Sequence, residues 1–171
     1  MRIKTIIDED FVNYKKPAMF IGTISCNGKC CIEAGIPLSV CQNDGWRSCA
    51  PVHIDDHELF QRYSRNQLTS AIVFGGLEPM EQFDELVRFL EIMRGYYGCD
   101  DDVVIYTGYY PGEIKNEIRT LRKYTNVIIK FGRYKPGHNP HYDEELGVNL
   151  ASDNQFAVKI SRVIPVNEGA E

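Results

Sequence analysis

The sequence predicts an α/β fold: a parallel sheet with flanking helices. Three observations predict it. Four short segments are near-continuous apolar runs rather than alternating ones, as strands covered on both faces are. The segments between them carry apolar residues at helical spacing. Strand and helix patterns alternate along the chain, which is the signature of crossover connections between parallel strands.

The first run is AMFIGT (residues 18–23), ending at Gly22. A long loop follows. IDDHELFQRYS then reads as a helix, with Asp55 and Glu58 at capping-box spacing; Asp stands in for the usual Ser or Thr. The second run, AIVFGG (residues 71–76), is rich in β-branched and aromatic residues and stops at two glycines. In residues 81–94, Phe83, Leu86, Val87, Leu90 and Met93 follow a 3.6-residue period. DVVIYTGY (residues 102–109) is the third run. Ile114, Ile118 and Leu121 mark a helix over residues 112–124, with Pro111 as a first-turn residue. NVIIKFG (residues 126–132) is the fourth run, and KPGHNPHYDEE (residues 135–145) reads as a solvated loop. No repeat or low-complexity segment interrupts the order, so residues 1–171 are expected to form a single domain.

Composition narrows the function. Hydrophobic residues make up 43% and charged residues 25%, ordinary globular usage. The net charge of −5 gives no basic footprint for nucleic acid. No run is long enough to span a membrane. MRIKTIIDEDF meets charge by residue 8, so no secretory core is expected and the cytoplasm is the expected compartment. In a reducing compartment the six cysteines read as metal ligands, catalytic thiols or buried thiols rather than disulfides.

Four of those cysteines, Cys26, Cys30, Cys31 and Cys41, share one loop just past the first predicted strand. Soft thiolates select zinc, cuprous copper or an iron–sulfur cluster. A structural zinc needs a fourth ligand, for which Cys49, His53 and His57 are candidates. Three cysteines on an iron–sulfur cluster would leave one iron open to substrate. Spacing alone does not separate these two readings, and a loop of buried thiols competes with both. Cys49 and Cys99 read as incidental or packing thiols, His138 and His141 as surface residues, and Tyr96, Tyr97, Tyr109 and Tyr110 as packing or interface residues.

The GGLEP turn offers backbone for close approach at Gly75 and Gly76, and a carboxylate at Glu78. In isolation it is a plain strand-to-helix turn, with Pro79 early in the helix and Glu78 favourable near its start. The cysteine loop, this turn and the YTGY segment all fall at carboxyl ends of predicted strands, where ligands bind in such sheets.

Four blocks resemble the radical S-adenosylmethionine enzymes, and most closely the activating proteins of anaerobic ribonucleoside-triphosphate reductases. They are AMFIGTISCNGKC, IVFGGLEPMEQFDELVRFL, VVIYTGYYPGEI and LGVNLASDNQFAVKI, in the same order and over residues 18 to about 160. The chain departs from the family in three places. Glu33 occupies the third cysteine's usual place, Leu77 is inserted in the Gly-Gly-Glu-Pro turn, and NYKKPA stands where a glycine- and arginine-containing segment is usual.

The resemblance implies an incomplete (β/α) barrel of the radical S-adenosylmethionine type. It implies a [4Fe–4S] cluster on Cys26, Cys30 and Cys41, the last reached by an insertion and matched through its CQN context, with Cys31 the alternative. It implies S-adenosylmethionine held by Gly75, Gly76 and Glu78 through its ammonium, with Ser152, Asn154 and the backbone near Thr107 for its carboxylate, ribose or adenine. No catalytic residue is implied beyond the cluster ligands. The implied partners are a glycyl radical enzyme, the anaerobic ribonucleoside-triphosphate reductase, and an electron donor such as flavodoxin. The alternatives are a radical enzyme acting on a small molecule, as deazaguanine synthases do, and a non-catalytic zinc- or cluster-binding interaction domain.

Overall fold

The computed structural model describes residues 1–160. The elements run, in chain order, β1 (Arg2–Ile3), β2 (Thr5–Asp10), β3 (Ala18–Gly22), α1 (Lys29–Ala34), a 3-10 turn (Leu38–Val40), α2 (Asp44–Ser48), β4 (Val52–His53) and α3 (Asp56–Arg65). They continue with β5 (Ala71–Gly75), a 3-10 turn (Pro79–Gln82), α4 (Phe83–Glu91), a wider π turn (Ile92–Tyr96), β6 (Asp102–Tyr106), α5 (Lys115–Leu121), β7 (Val127–Phe131), β8 (His141–Asp143), β9 (Val148–Leu150) and β10 (Phe156–Lys159).

The four predicted strands are β3, β5, β6 and β7, and they pair side by side in parallel. Every residue of β3, β5 and β7 is buried, which is why each reads as an unbroken apolar run. The sheet differs from the all-parallel expectation at its edges. Antiparallel β2 pairs with β3, and antiparallel β10 pairs with β7, so the sheet is mixed, six-stranded and open, in the order β10-β7-β6-β5-β3-β2.

Side chains alternate across a strand, and here the two faces have different covers. Met19, Ile21, Ile72, Phe74, Val103, Ile105, Val127 and Ile129 face α3, α4 and α5, in one core with Leu59, Leu86, Phe89, Leu90 and Leu121. Ala18, Phe20, Val73, Val104 and Ile128 face the other way, under Tyr14, Leu146 and Leu150, with Trp46 packed at the margin. The β8–β9 hairpin supplies that second cover, so residues 141–143 form a strand where a solvated loop was expected. Asp143 fastens the hairpin: its carboxylate accepts from Leu146 N at 2.9 Å and from Ala157 N at 2.8 Å.

Helix boundaries also shift. Asp55 caps α3 as expected, accepting from His57 N at 2.9 Å and Glu58 N at 3.2 Å. Residues 81–94 divide among the 3-10 turn, α4 and the π turn. The helix expected over residues 112–124 is only Lys115–Leu121, and Pro111 lies in the turn before it. Glu113 holds that turn by accepting from Tyr110 N at 2.8 Å. The expected long loop contains α1, α2, a 3-10 turn and β4. Among the described residues no helix is long and apolar enough to cross a membrane.

Phe74 lies fully buried in β5, with its ring edge-on to Phe89 at 5.7 Å. Phe74→Ala is expected to lower unfolding stability by about 3–5 kcal/mol in denaturant titration. A loss under about 1 kcal/mol would contradict this core.

Candidate cluster site

The site forms where the parallel strands end. Past β3 the ladder continues: Thr23 donates to Gly75 O through its backbone N at 2.9 Å and its hydroxyl at 3.1 Å. Glu78 N then donates to Ser25 O at 2.7 Å, and Ile24 N to the Gln82 side chain at 2.7 Å. These bonds fix the start of the cysteine loop against the GGLEP turn. Gly28, at φ +72°, then turns the chain into α1, and Leu38 packs so closely that a Cβ on Gly28 would stand 2.5 Å from it.

Cys26 and Cys30 line one small cavity of about 30 Å³ with Asn27, Lys29, Glu78, Gly108, Tyr109 and Arg133. Such a volume admits one or two waters. Cys31 lies 3% exposed and off this cavity, with its sulfur 4.0 Å from that of Cys30. Cys41 ends the 3-10 turn, half-buried. Burial pushes the Cys30 thiol up, and Cys31 and then Cys41 push it further as neighbouring charges. Burial likewise raises Cys26, opposed by the Gly28 N–H and the Arg47 charge.

Glu78 faces these thiols while 6% exposed. Its Oε1 accepts from the Thr107 hydroxyl at 2.7 Å and Met80 N at 3.1 Å, and its Oε2 from Gly108 N at 2.8 Å. Burial raises its pKa, and these three bonds oppose the rise. A carboxylate has about four acceptor positions, so Oε2 keeps one unused. Leu77 before it is buried, and Glu78 reaches the cavity. Beside it, Gly76 adopts φ +80° under the Trp46 ring, and its carbonyl accepts from Asn43 Nδ2 at 2.6 Å.

Two basic residues that sequence reasoning missed complete the surroundings. Arg133, 6% exposed, pairs with Glu33 at 2.6 Å and Glu113 at 2.6 Å, donates to Gly108 O at 2.8 Å and stacks 4.8 Å from the Tyr110 ring. This guanidinium holds the carboxyls of Glu113 and Glu33 below their usual range. Beyond Cys30 and Arg133 lies a larger cleft of about 360 Å³, also lined by Glu33, Tyr134, Lys135 and His138. Lys130 is buried in β7 and donates to Gly132 O at 2.8 Å; burial lowers its pKa to about 8, against the pull of Glu78 and Cys30. A lysine inside an apolar run and an arginine just after it were the available signals.

The structure therefore gathers Cys26, Cys30, Gly75, Gly76, Glu78 and Thr107 at one edge of the sheet, with Cys41 near Cys30. It sets the other candidates apart. Ser152 is fully buried, its hydroxyl accepting from Lys135 N at 3.4 Å. Asn154 stands behind Arg133, donating to Arg133 O at 2.8 Å and the Tyr110 hydroxyl at 3.1 Å, while its own side-chain oxygen is buried without a partner. Cys49 is exposed, and Cys99 precedes β6 at the opposite end of the strand. His53 is exposed on β4, His57 meets the Tyr97 hydroxyl at 3.2 Å, and His138 pairs with Asp153 at 2.6 Å.

Among the described residues, no three Cys, His, Asp or Glu side chains converge as ligands of one metal ion. A zinc site needs its sulfurs about 2.3 Å from a shared centre. Soft thiolates suit zinc and an iron–sulfur cluster alike. The fold and its soft-donor loop define an α/β protein with a cluster of thiols at one edge of its sheet. The chain belongs to the 4Fe-4S single cluster domain family, whose profile matches residues 38–156, beginning after Cys26 and Cys30 and including Cys41. No curated protein and no solved structure matches it.

Lys130 binds its proton more weakly in the folded chain than in the unfolded one, so between about pH 8 and 10.5 the unfolded chain holds more protons. Stability due to this group rises with pH across that window. In the cluster-free protein, Lys130→Met should remove that rise and add on the order of 3 kcal/mol at pH 7, as measured by urea unfolding. An identical pH dependence in both proteins would refute the assignment.

Proposed function

We propose that the chain is a [4Fe–4S]- and S-adenosylmethionine-dependent radical enzyme of the partial-barrel type, an activase that generates a glycyl radical on an anaerobic ribonucleoside-triphosphate reductase. The observation that carries this reading is the meeting of Cys26, Cys30 and Glu78 around one cavity at the carboxyl ends of β3, β5 and β6. Membership of a single-cluster family supports it. Three thiolates leave one iron open, whereas a four-cysteine cluster would only carry electrons.

Cys26, Cys30 and Cys41 hold the cluster in this reading. Bound there, the cluster would supply the single electron for reductive cleavage of S-adenosylmethionine, chemistry whose outcome would be removal of a hydrogen atom from a glycine Cα of the reductase. The residues of the chain bind and orient. The unused acceptor on Glu78 Oε2 receives the substrate ammonium, and the Gly76 carbonyl shares its second lone pair beside Asn43. Gly75 brings the backbone close. Thr107 fixes the Glu78 carboxylate by its 2.7 Å bond and so sets the direction of that acceptor. The cleft beyond Arg133, at about 360 Å³, falls within the usual range for small-ligand sites. Asn154 and Ser152 brace the backbone of Arg133 and Lys135, which line that cleft. An electron donor such as flavodoxin supplies the reducing equivalent.

The deciding experiment is anaerobic reconstitution followed by electron paramagnetic resonance with and without S-adenosylmethionine, then with the reductase. The expected results are a spectral change on adding S-adenosylmethionine and a glycyl radical on the reductase. Cleavage of S-adenosylmethionine with no glycyl radical would favour a small-molecule enzyme. Tightly bound zinc without iron or sulfide would favour an interaction domain.

Cys41→Ala should abolish cluster assembly, read as iron and sulfide per chain, while Cys31→Ala should leave most of it; the reverse pattern would transfer the third position to Cys31. Glu78→Ala should keep the cluster yet weaken S-adenosylmethionine binding at least about tenfold, about 1.4 kcal/mol. Unchanged binding would remove Glu78 from the site.

A further inference from the structure

Arg47 is the one basic side chain built into the cysteine loop with its hydrogen-bonding capacity largely unused. It projects from α2 back under the turn that carries Cys26. Its Nη1 donates to the Cys26 carbonyl at 2.6 Å. Its Nη2 lies 3.6 Å from where a Cβ on Gly28 would stand, and Gly28 N in turn donates to Cys26 Sγ at 3.4 Å. The Nε and Nη2 groups are buried without a partner. The Asp44 carboxylate comes to 3.4 Å of Nε, close enough for charge attraction but outside hydrogen-bonding geometry.

Buried N–H groups left idle are costly, and such groups in native proteins ordinarily mark a partner or a strained function. Beside the guanidinium runs the Cys26 segment itself, with its carbonyl on Nη1 and its sulfur on the neighbouring Gly28 N–H. A cluster on three thiolates is anionic and becomes more so on reduction. Net charge and hydrogen bonds to sulfur are among the factors that set cluster potentials, and groups beyond the ligands fix ligand orientation.

We propose that Arg47 is a positioning residue for the cluster, fixing Cys26 through its carbonyl and supplying the fixed positive charge that favours the reduced state. The inference rests on the cluster reading above. Asp44 tempers that charge, because it pairs weakly with the same guanidinium from the exposed side of α2.

The test is the midpoint potential of the reconstituted cluster, followed by electron paramagnetic resonance, with iron and sulfide counted for each variant. Arg47→Gln should lower the potential by at least the equivalent of a tenfold change in the reduced-to-oxidised ratio, about 59 mV for one electron. Arg47→Lys should restore most of that shift, since it keeps the charge. Asp44→Asn should move the potential the other way, because it unmasks the guanidinium while leaving Arg47 and Cys26 in place. Equal potentials for wild type, Arg47→Gln and Asp44→Asn would overturn the proposal. If Arg47→Gln fails to take up iron, the sign of the Asp44→Asn shift decides alone, and no shift there overturns it. A wild-type protein that assembles no iron–sulfur cluster would instead overturn the reading on which the inference rests.

Discussion

The buried carboxylate of Glu78 is the constraint around which the rest of the site is arranged. Through its backbone it holds Ser25 at the exit of β3, and through its side chain it holds Thr107 and Gly108 at the exit of β6. Its own strand, β5, lies between those two. A single residue thus joins three consecutive strand ends at one level. A carboxylate this buried is tolerable only because three donors meet it, and those donors are available only because the strands end in register. The same bonds that stabilise the charge therefore also set the spacing between the cysteine loop and the opposite wall of the cavity.

A second electrostatic unit closes the far side. Arg133 spans from Glu33 on α1 to Glu113 before α5, so the helix carrying Cys30 is tied to the segment after β6 by charge rather than by apolar packing. Arg133 is itself nearly buried, while Glu33 is about half exposed. The interaction is therefore asymmetric, with a fixed cation and a carboxylate that solvent still reaches. Solvent screening discounts the energy of the Glu33 contact, and the bidentate geometry still gives it direction.

Much of this was legible in the sequence where burial was two-sided. The four parallel strands are unbroken apolar runs because both faces are covered, and the Asp55 cap declares itself by residue type and spacing. What was hidden has physical reasons. TIIDED in β2 is an edge strand with one side open, so its acidic residues mask the pattern and also discourage edge pairing. FAVK in β10 is short and largely exposed. The turns of the cysteine loop are too brief for periodicity to show. At the site, Cys26, Cys30, Gly75, Gly76, Glu78 and Thr107 were legible because unusual residues sit at strand ends. Lys130 was not, because a lysine in an apolar run reads as an interruption until a carbonyl partner is seen. Arg133 was not, because its two glutamate partners lie 100 and 20 residues away. Ser152 has the opposite lesson: a conspicuous motif residue turned out to support backbone from within the interior.

Trp46 gives the contact between loop and turn one more consequence. It is the only tryptophan in the chain, and its ring lies against Gly76. The Phe20 ring lies 5.9 Å from it, tilted. The indole emission of this protein therefore arises from a single place, the seam between the cysteine loop and the glycine turn. The molecule carries its own optical probe there: anything that loosens, tightens or wets that seam alters the environment of its one indole.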